Sequence, residues 1–191
     1  MSMTQSIGKA SNTKQQIRLV LAIFLLISAI EVINLLTGRI LNQLGTIPRY
    51  VPGLRGIVLG PFLHGSLQHY FSNIIPLCIF SYLLLQYGLK RYIQLTVWIM
   101  LITGLLVWLF GRPATHIGAS GVIYGYFGYL LLAGFLSGKF KLLIISVLVA
   151  FFYGGLVLGV LPSTPFVSWE SHLFGFIAGL AGAKLWAKPS P

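Results

Sequence analysis

The chain alternates long apolar stretches with short polar segments along most of its length. Basic residues, glycines and prolines mark most of the breaks between the apolar stretches. A transmembrane helix needs about 20 predominantly apolar residues. The pattern therefore predicts an all-α membrane protein, a bundle of six transmembrane helices over residues 17–36, 68–87, 92–110, 120–136, 141–161 and 171–186.

Composition supports the membrane assignment. Of the 191 residues, 57% are hydrophobic and 8% are charged, whereas soluble domains carry about 25% charged residues. We expect one membrane-embedded domain over residues 17–187, preceded by a short basic arm (1–16) and followed by a short tail (188–191). The first apolar stretch lacks a small-residue cleavage site, so we expect it to be a retained helix rather than a signal peptide.

The net charge of +11 predicts an orientation in the bilayer. Cytoplasmic loops of membrane proteins are enriched in Lys and Arg. With a cytoplasmic N-terminus, four basic residues fall outside, namely Arg39, Arg49, Arg55 and Arg112, and nine fall inside, namely Lys9, Lys14, Arg18, Lys90, Arg91, Lys139, Lys141, Lys184 and Lys188. Both termini are therefore expected in the cytoplasm. The basic residues form no dense patch, so the expected partner is the lipid bilayer and not a nucleic acid.

Polar residues cluster where three of the predicted helices begin. With this orientation the second, fourth and sixth helices all start on the outer side. His69 and Asn73 lie in the first turns of the second helix, Ser120 starts the fourth, and His172 starts the sixth. Three distant segments therefore bring reactive residue types to one depth near the outer face.

Ser120 and His172 are candidates for a catalytic pair. A serine hydroxyl is a weak nucleophile until a base takes its proton, and a histidine can be that base. The chain contains no Asp, and its only acids are Glu31 and Glu170. Glu170 lies two residues before His172, and such pairs do not face each other on a helix. The sequence therefore predicts a serine–histidine dyad without a carboxylate.

Other residues at this end are candidates for an oxyanion hole. The backbone N–H of Ser120 lies at a helix N-terminus, where it has no partner within the helix and sits in the positive end of the helix dipole. His69 and Asn73 are four residues apart, so they share one helix face. All three groups can donate hydrogen bonds to a developing oxyanion.

Glycines predict that the fourth and sixth helices pack closely. Small residues let membrane helices approach each other, and each helix carries a glycine stripe: Gly121, Gly125 and Gly128 in the fourth, Gly175, Gly179 and Gly182 in the sixth. Close packing would bring Ser120 to His172. Tyr124, one turn after Ser120, is then placed to pack its ring against the imidazole.

At these residues the chain resembles the rhomboid family of intramembrane serine proteases, of the compact six-helix bacterial type. The matching elements are His64-x4-His69-x3-Asn73, Gly118-Ala119-Ser120-Gly121 with Tyr124, and His172-x2-Gly175-x3-Gly179.

The resemblance implies roles for these residues. Ser120 would be the nucleophile and His172 the base, with an oxyanion hole from His69, Asn73 and the Ser120 amide. Tyr124 would stack on His172, Gly118 and Gly121 would support the serine, and His64 would hold down the first loop (residues 37–66). The activity implied is cleavage of transmembrane segments near their outer end, in the bacterial inner membrane, with no metal and no cofactor. Many bacterial members carry Trp-Arg in the first loop, whereas Leu54-Arg55 stands here, which leaves the depth of that loop open.

Several alternatives remain open at this stage. Ser120 alone would read as a helix N-cap, and His69 and Asn73 could simply bond neighbouring helices together. For His116 and for the intramembrane acid Glu31 we expect packing roles. At the level of function, a rhomboid-like protein that binds membrane clients without cutting them is the main alternative. A small-solute transporter fits less well, since transporters often show paired repeats and the chain has no clear internal repeat.

Overall fold

The computed structural model describes residues 12–162 and 167–187. Within these ranges the chain is all-α, with only an isolated bridge between Thr46 and His116. The α-helices are α1 (Thr13–Leu36), α2 (Gly56–Leu59), α3 (Leu67–Leu85), α4 (Leu89–Phe110), α5 (Ser120–Ser137), α6 (Phe140–Tyr153) and α7 (Trp169–Trp186). Short 3₁₀ helices cover Ile40–Leu44, Val51–Arg55, Gly60–Phe62 and Gly154–Val160.

The long helices alternate in direction, so their termini gather at two ends of the bundle. At one end α3, α5 and α7 begin, and the N–H of Gly118 donates to the carbonyl of Gly60 at 2.9 Å. At the other end α1 begins and α3 ends, joined by a 2.9 Å hydrogen bond from Gln86 Nε2 to Gln16 Oε1. We call the end that holds Ser120 the serine end, and the other the opposite end.

Each predicted apolar stretch corresponds to a helix, with shifted boundaries. The first helix starts at Thr13 rather than at residue 17, because Asn12 caps it by accepting a hydrogen bond from the N–H of Lys14 at 3.2 Å. The fifth is α-helical only to Tyr153 and continues as a 3₁₀ helix through Gly154–Val160. Most of the predicted arm (1–16) and all of the predicted tail (188–191) lie outside the described residues.

The protein is an integral membrane protein. Four helical segments of the described chain are long and apolar enough to cross a bilayer, namely Thr13–Leu36, Leu89–Phe110, Ser120–Ser137 and Phe140–Val160. Large apolar side chains such as Leu25 and Phe151 are exposed on the outside of the bundle. Exposed apolar surface of this extent is unfavourable in water, and lipid covers it without that cost. Helices α3 and α7 are not among these four segments.

Helix α5 is the centre of the bundle. Thirteen of its eighteen residues are buried, and its most extensive contact is with α7. The glycines of α7 face the backbone of α5: a Cβ on Gly175 would lie 2.1 Å from the carbonyl oxygen of Gly121, and one on Gly179 would lie 2.0 Å from that of Gly125. Any side chain at these positions would force the helices apart, so glycine sets the spacing between the helix of Ser120 and the helix of His172.

The connection between α1 and α3 is folded rather than extended. It contains α2 and three of the 3₁₀ helices, and it packs against α4 and the start of α5. Thr46 and His116 exchange two backbone hydrogen bonds, of 3.0 and 2.8 Å. A Cβ on Gly56 would lie 2.0 Å from the nitrogen of Thr46, so only glycine permits this crossing. The connection therefore braces the loop that leads into Ser120.

Candidate active site

Ser120 is the first residue of α5 and is partly exposed at the serine end. The turn before it passes through Gly118, whose φ of +110° favours glycine. Among the described residues, no group forms a hydrogen bond with the Ser120 hydroxyl or accepts one from its backbone N–H. Within the described part of the chain, the side chain and the amide of Ser120 thus both lack a hydrogen-bond partner.

His172 lies in the first turn of α7, with its imidazole oriented by two contacts. Nδ1 lies 2.9 Å from the carbonyl oxygen of Gly159, and the ring stacks on Tyr124 with centroids 4.1 Å apart and planes 6° from parallel. A carbonyl can only accept a hydrogen bond, so Nδ1 carries the proton and Nε2 keeps its lone pair. The imidazole is therefore held in the tautomer that a general base needs.

The positions of Ser120 and His172 follow from these contacts. Ser120 and Tyr124 are four residues apart and share a face of α5, and Tyr124 stacks on the imidazole. Gly121, next to Ser120, touches Gly175, which is one turn after His172. Ser120 and His172 are thus on facing surfaces of two tightly packed helices, although they form no hydrogen bond with each other in the described structure.

Of the predicted oxyanion donors, the structure leaves His69 available and Asn73 occupied. Nδ1 of His69 accepts a 3.4 Å hydrogen bond from the N–H of Gly65, so its proton is on Nε2. That nitrogen faces Gly118, since a Cβ on Gly118 would lie 2.6 Å from it. The amide of Asn73 instead donates to the carbonyl of His69 at 2.7 Å and to the hydroxyl of Ser72 at 3.4 Å, so both of its N–H groups are engaged. Asn73 is buried and must turn before it can donate to a substrate.

His64 lies in the first loop and is fully buried. Its carbonyl accepts hydrogen bonds from Asn34 (3.3 Å), Arg39 (2.6 Å) and Asn42 (3.2 Å). Its ring meets the ring of His69 edge-on, with centroids 5.2 Å apart. Burial, assisted by the positive charges of nearby groups, lowers the pKa of His64 to about 3. The neutral ring therefore packs beside His69, and the backbone of His64 anchors the loop.

Glu31, the acidic residue of α1, also helps to hold the first loop in place. Glu31 is buried, and its Oε1 accepts a 3.0 Å hydrogen bond from Arg39. Its other oxygen lies 3.9 Å from Nδ1 of His64, but the neutral imidazole makes no ion pair with it. Glu31 thus serves the packing of the first loop against α1.

A second polar cluster joins the loop before Ser120 to the start of α7. Nε2 of His116 donates to the carbonyl of Arg112 at 3.1 Å, and Nδ1 accepts from the Ser168 hydroxyl at 2.6 Å. Ser168 also bonds Ser171 at 2.6 Å, and Arg112 pairs with Glu170 at 3.4 Å. Burial lowers the pKa of His116, which favours the neutral ring. Sequence spacing gave no signal of this cluster, because its members come from segments over 50 residues apart.

A small cavity lies next to the turn that leads into Ser120. It has a volume of about 40 Å³ and is lined in part by Thr46, Thr103, His116, Gly118 and Ser171. A polar cavity needs about 10–15 Å³ to hold one water. The site thus has room for water directly beside the loop that carries the serine.

The chain is similar to a known family and to several bacterial proteins. The family model of the Rhomboid domain matches residues 53–188. An uncharacterised protein of Mycobacterium tuberculosis (strain ATCC 25618 / H37Rv) is 36% identical over 179 residues, which cover 89% of this chain and 75% of that protein. An uncharacterised protein of Mycobacterium leprae (strain TN) is 36% identical over 180 residues, 89% of this chain and 71% of that protein.

Proposed function

The chain belongs to the rhomboid family, and on that premise we propose that it is an intramembrane serine endopeptidase with Ser120 as nucleophile and His172 as general base. The observation that carries the proposal is the imidazole of His172, whose Nδ1 is bonded to the carbonyl of Gly159 and whose ring stacks on Tyr124, one turn after Ser120 on α5. Its substrates would be transmembrane segments of other membrane proteins, and it would use no cofactor.

The proposed reaction proceeds in two steps. In the first, Nε2 of His172 takes the hydroxyl proton while Ser120 Oγ attacks the scissile carbonyl. The imidazolium then gives this proton to the leaving amine, and an acyl-enzyme remains. In the second step, His172 takes a proton from water, the resulting hydroxide attacks the ester, and Ser120 regains its proton as the acid product leaves. The Gly159 carbonyl keeps the imidazole oriented throughout.

The oxyanion would be stabilised by groups already at the serine end. The uncommitted N–H of Ser120 and Nε2–H of His69 are the first two donors. The amide of Asn73 would be a third after it leaves the carbonyl of His69. Donors of this kind are each worth about 10²–10³ in kcat when aimed at the developing charge.

We further propose six spans with both termini in the cytoplasm of a bacterium. The support is the four segments that are long and apolar enough to cross a bilayer, helices α3 and α7, which both begin at the serine end and pack among them, and the nine-to-four bias of basic residues. In this orientation the serine end opens to the outer face, so the substrate would be cut near its outer end.

The test is covalent labelling at Ser120 in proteoliposomes. A serine-directed phosphonate should modify Ser120 in the wild type but not in His172→Ala, because an unactivated hydroxyl reacts poorly. Ser72, an exposed serine at the same end, is the internal control and should stay unmodified. Mass spectrometry of the labelled peptides gives both readings, and cleavage of a panel of single-span substrates is measured in parallel.

Ser120→Ala should lower kcat by about 10⁴–10⁶, and adding His172→Ala should cost little more, since the two residues act as a unit. A folded wild type that shows neither a Ser120 adduct nor cleavage would refute the protease and favour a rhomboid-like protein that binds clients without cutting them. Wild-type turnover in Ser120→Ala would refute the assigned nucleophile.

A further inference from the structure

A second cavity lies at the opposite end of the bundle, away from Ser120. It has a volume of about 300 Å³, and its lining includes Arg91, Lys139, Lys141, Gln86, Tyr129 and Trp186. We propose that this cavity binds a phosphate-bearing anion, supplied either by the headgroup of an anionic phospholipid or by free phosphate. The proposal does not depend on the protease assignment, because none of these residues lies at the serine end.

The side chains that line the cavity carry a net positive charge that an anion from outside the protein would balance. Neither acidic residue of the chain lines it, since Glu31 and Glu170 are paired with Arg39 and Arg112 at the serine end. The three cations of its lining, Arg91, Lys139 and Lys141, therefore share the cavity without a carboxylate side chain. Like charges gathered in this way repel each other, and a bound anion would remove that repulsion.

Neutral groups hold two of these cations in place without neutralising their charge. Nζ of Lys141 donates to Gln86 Oε1 at 2.8 Å, and Nη1 of Arg91 lies 3.4 Å from Gln94 Oε1. The guanidinium of Arg91 also lies 5.7 Å from the ring centroid of Trp186, which is a cation–π distance. Arg91 and Lys141 are thus pre-positioned, and their charge stays available for a ligand.

A buried hydroxyl gives an independent sign of a missing partner. Tyr129 lines the cavity and is 0% exposed, and its hydroxyl has no hydrogen-bond partner among the described residues. A buried donor without an acceptor is destabilising. A phosphate bound in the cavity would give this hydroxyl an acceptor. It would also accept charge-assisted hydrogen bonds from Arg91 and Lys141.

The place of the cavity suits a lipid headgroup as well as a soluble phosphate. It is formed where α3, α5 and α7 end and where α4 and α6 begin, so it lies at the level where the bundle leaves the hydrocarbon. Trp186 is on its rim, and tryptophan is enriched at that level. Its volume is at the lower limit of the roughly 300–1,000 Å³ usual for ligand sites, so a phosphate with a small polar head would fit.

The experiment measures binding to the full-length protein in a zwitterionic detergent at fixed low salt. The probes are dihexanoyl phosphatidylglycerol, dihexanoyl phosphatidylcholine and inorganic phosphate, with the melting temperature and native mass spectrometry as readouts. Basic residues near anionic lipid each contribute about fivefold in affinity. Lys139→Gln with Lys141→Gln, both exposed, should therefore weaken phosphatidylglycerol binding about 25-fold.

The matched control removes the same charge at the same end but outside the cavity. Lys14→Gln with Arg18→Gln changes two exposed residues at the start of α1 and should alter the affinity less than threefold. Tyr129→Phe deletes only the unpaired hydroxyl. It should weaken binding severalfold while leaving the melting temperature of the unliganded protein unchanged or higher.

The outcomes distinguish the two sources of the phosphate group, and some of them would refute the proposal. Phosphatidylglycerol binding with little response to phosphate identifies lipid as the source, and an equal response to phosphate at the same residues identifies free phosphate. Equal losses in the cavity and control variants would overturn the proposal, because they would show general surface attraction. The proposal is also overturned if neither anion binds the wild type, or if phosphatidylcholine binds as well as phosphatidylglycerol.

Discussion

Gly179→Ala adds one methyl group at the closest backbone contact between α5 and α7. The new Cβ would lie 2.0 Å from the carbonyl oxygen of Gly125 and 2.9 Å from the nitrogen of Tyr129. Both obstacles are backbone atoms, so no side chain can rotate away. Restoring a normal contact of more than 3 Å requires the two helices to separate by about 1 Å along much of their interface.

The expected cost follows from this geometry. Overpacking a tight interior typically costs about 1–3 kcal/mol, and a clash between two backbones belongs at the upper limit. For a chain of 150–250 residues, each kcal/mol shifts the melting temperature by about 2–4 °C. Gly179→Ala should therefore melt roughly 6–12 °C below the wild type. The same separation would move His172 away from Ser120, and a misplacement of 1 Å can cost about 10² in rate.

The assay is thermal unfolding in detergent, followed by tryptophan fluorescence, with cleavage measured on the same samples. Gly155→Ala is the matched control, because a Cβ there meets no atom within 4 Å and its φ is not positive. It should melt within about 2 °C of the wild type. If Gly179→Ala also melts within that margin and keeps full activity, the glycine contact does not set the helix spacing and the reasoning fails.

Variants at three further positions test the site itself. Asn73→Ala should lower kcat by about 10²–10³ with little change in KM if its amide reaches the oxyanion, whereas a change in KM alone would assign it to substrate binding. Tyr124→Ala should lower kcat by about tenfold and Tyr124→Phe should not, because the stack on His172 is worth about 0.5–1.5 kcal/mol; equal losses would disprove a role for stacking. The folded pKa of His64, about 3, lies below its unfolded value of 6.5. The contribution of the neutral ring to the free energy of unfolding is therefore fully present above pH 6.5 and is lost as the pH drops toward 3. The unfolding free energy lost by pH 5 should be about 2 kcal/mol, and His64→Asn should show a correspondingly flatter profile in melts at pH 7 and 5.

The helices could be predicted from the sequence because their signal is local. Six apolar stretches correspond to six helices, and five of these have ends within four residues of the predicted ones, as where the cap Asn12 extends α1 beyond its apolar part. The sixth, α6, ends at Tyr153, eight residues before the predicted end, where a 3₁₀ helix continues the segment. The arrangement of Ser120, Tyr124 and His172 at one end follows from alternating helix direction alone. The catalytic roles of these residues remain predictions that the labelling experiment tests.

What could not be predicted depends on contacts between distant segments. The sequence indicates that Asn73 and His69 share a helix face, but not that the amide of Asn73 is engaged by the carbonyl of His69. It likewise gives no hint that Arg112 and Glu170 form an ion pair. Such pairings depend on how distant segments pack against each other, and residue spacing along the chain does not determine that packing.

The hydrogen bond between His172 and the carbonyl of Gly159 has a consequence for mutational scanning. Every amino acid carries the same carbonyl, so no substitution at residue 159 removes the acceptor. A substitution there instead pushes a Cβ to within 1.9 Å of the Tyr124 hydroxyl, and its effect would be credited to the tyrosine. An alanine scan of this protein would thus register the side chains of His172 and Tyr124 and miss the third group of the proposed arrangement, the carbonyl that orients the imidazole. Only an amide-to-ester exchange between residues 159 and 160, which weakens that carbonyl as an acceptor, would reveal the third.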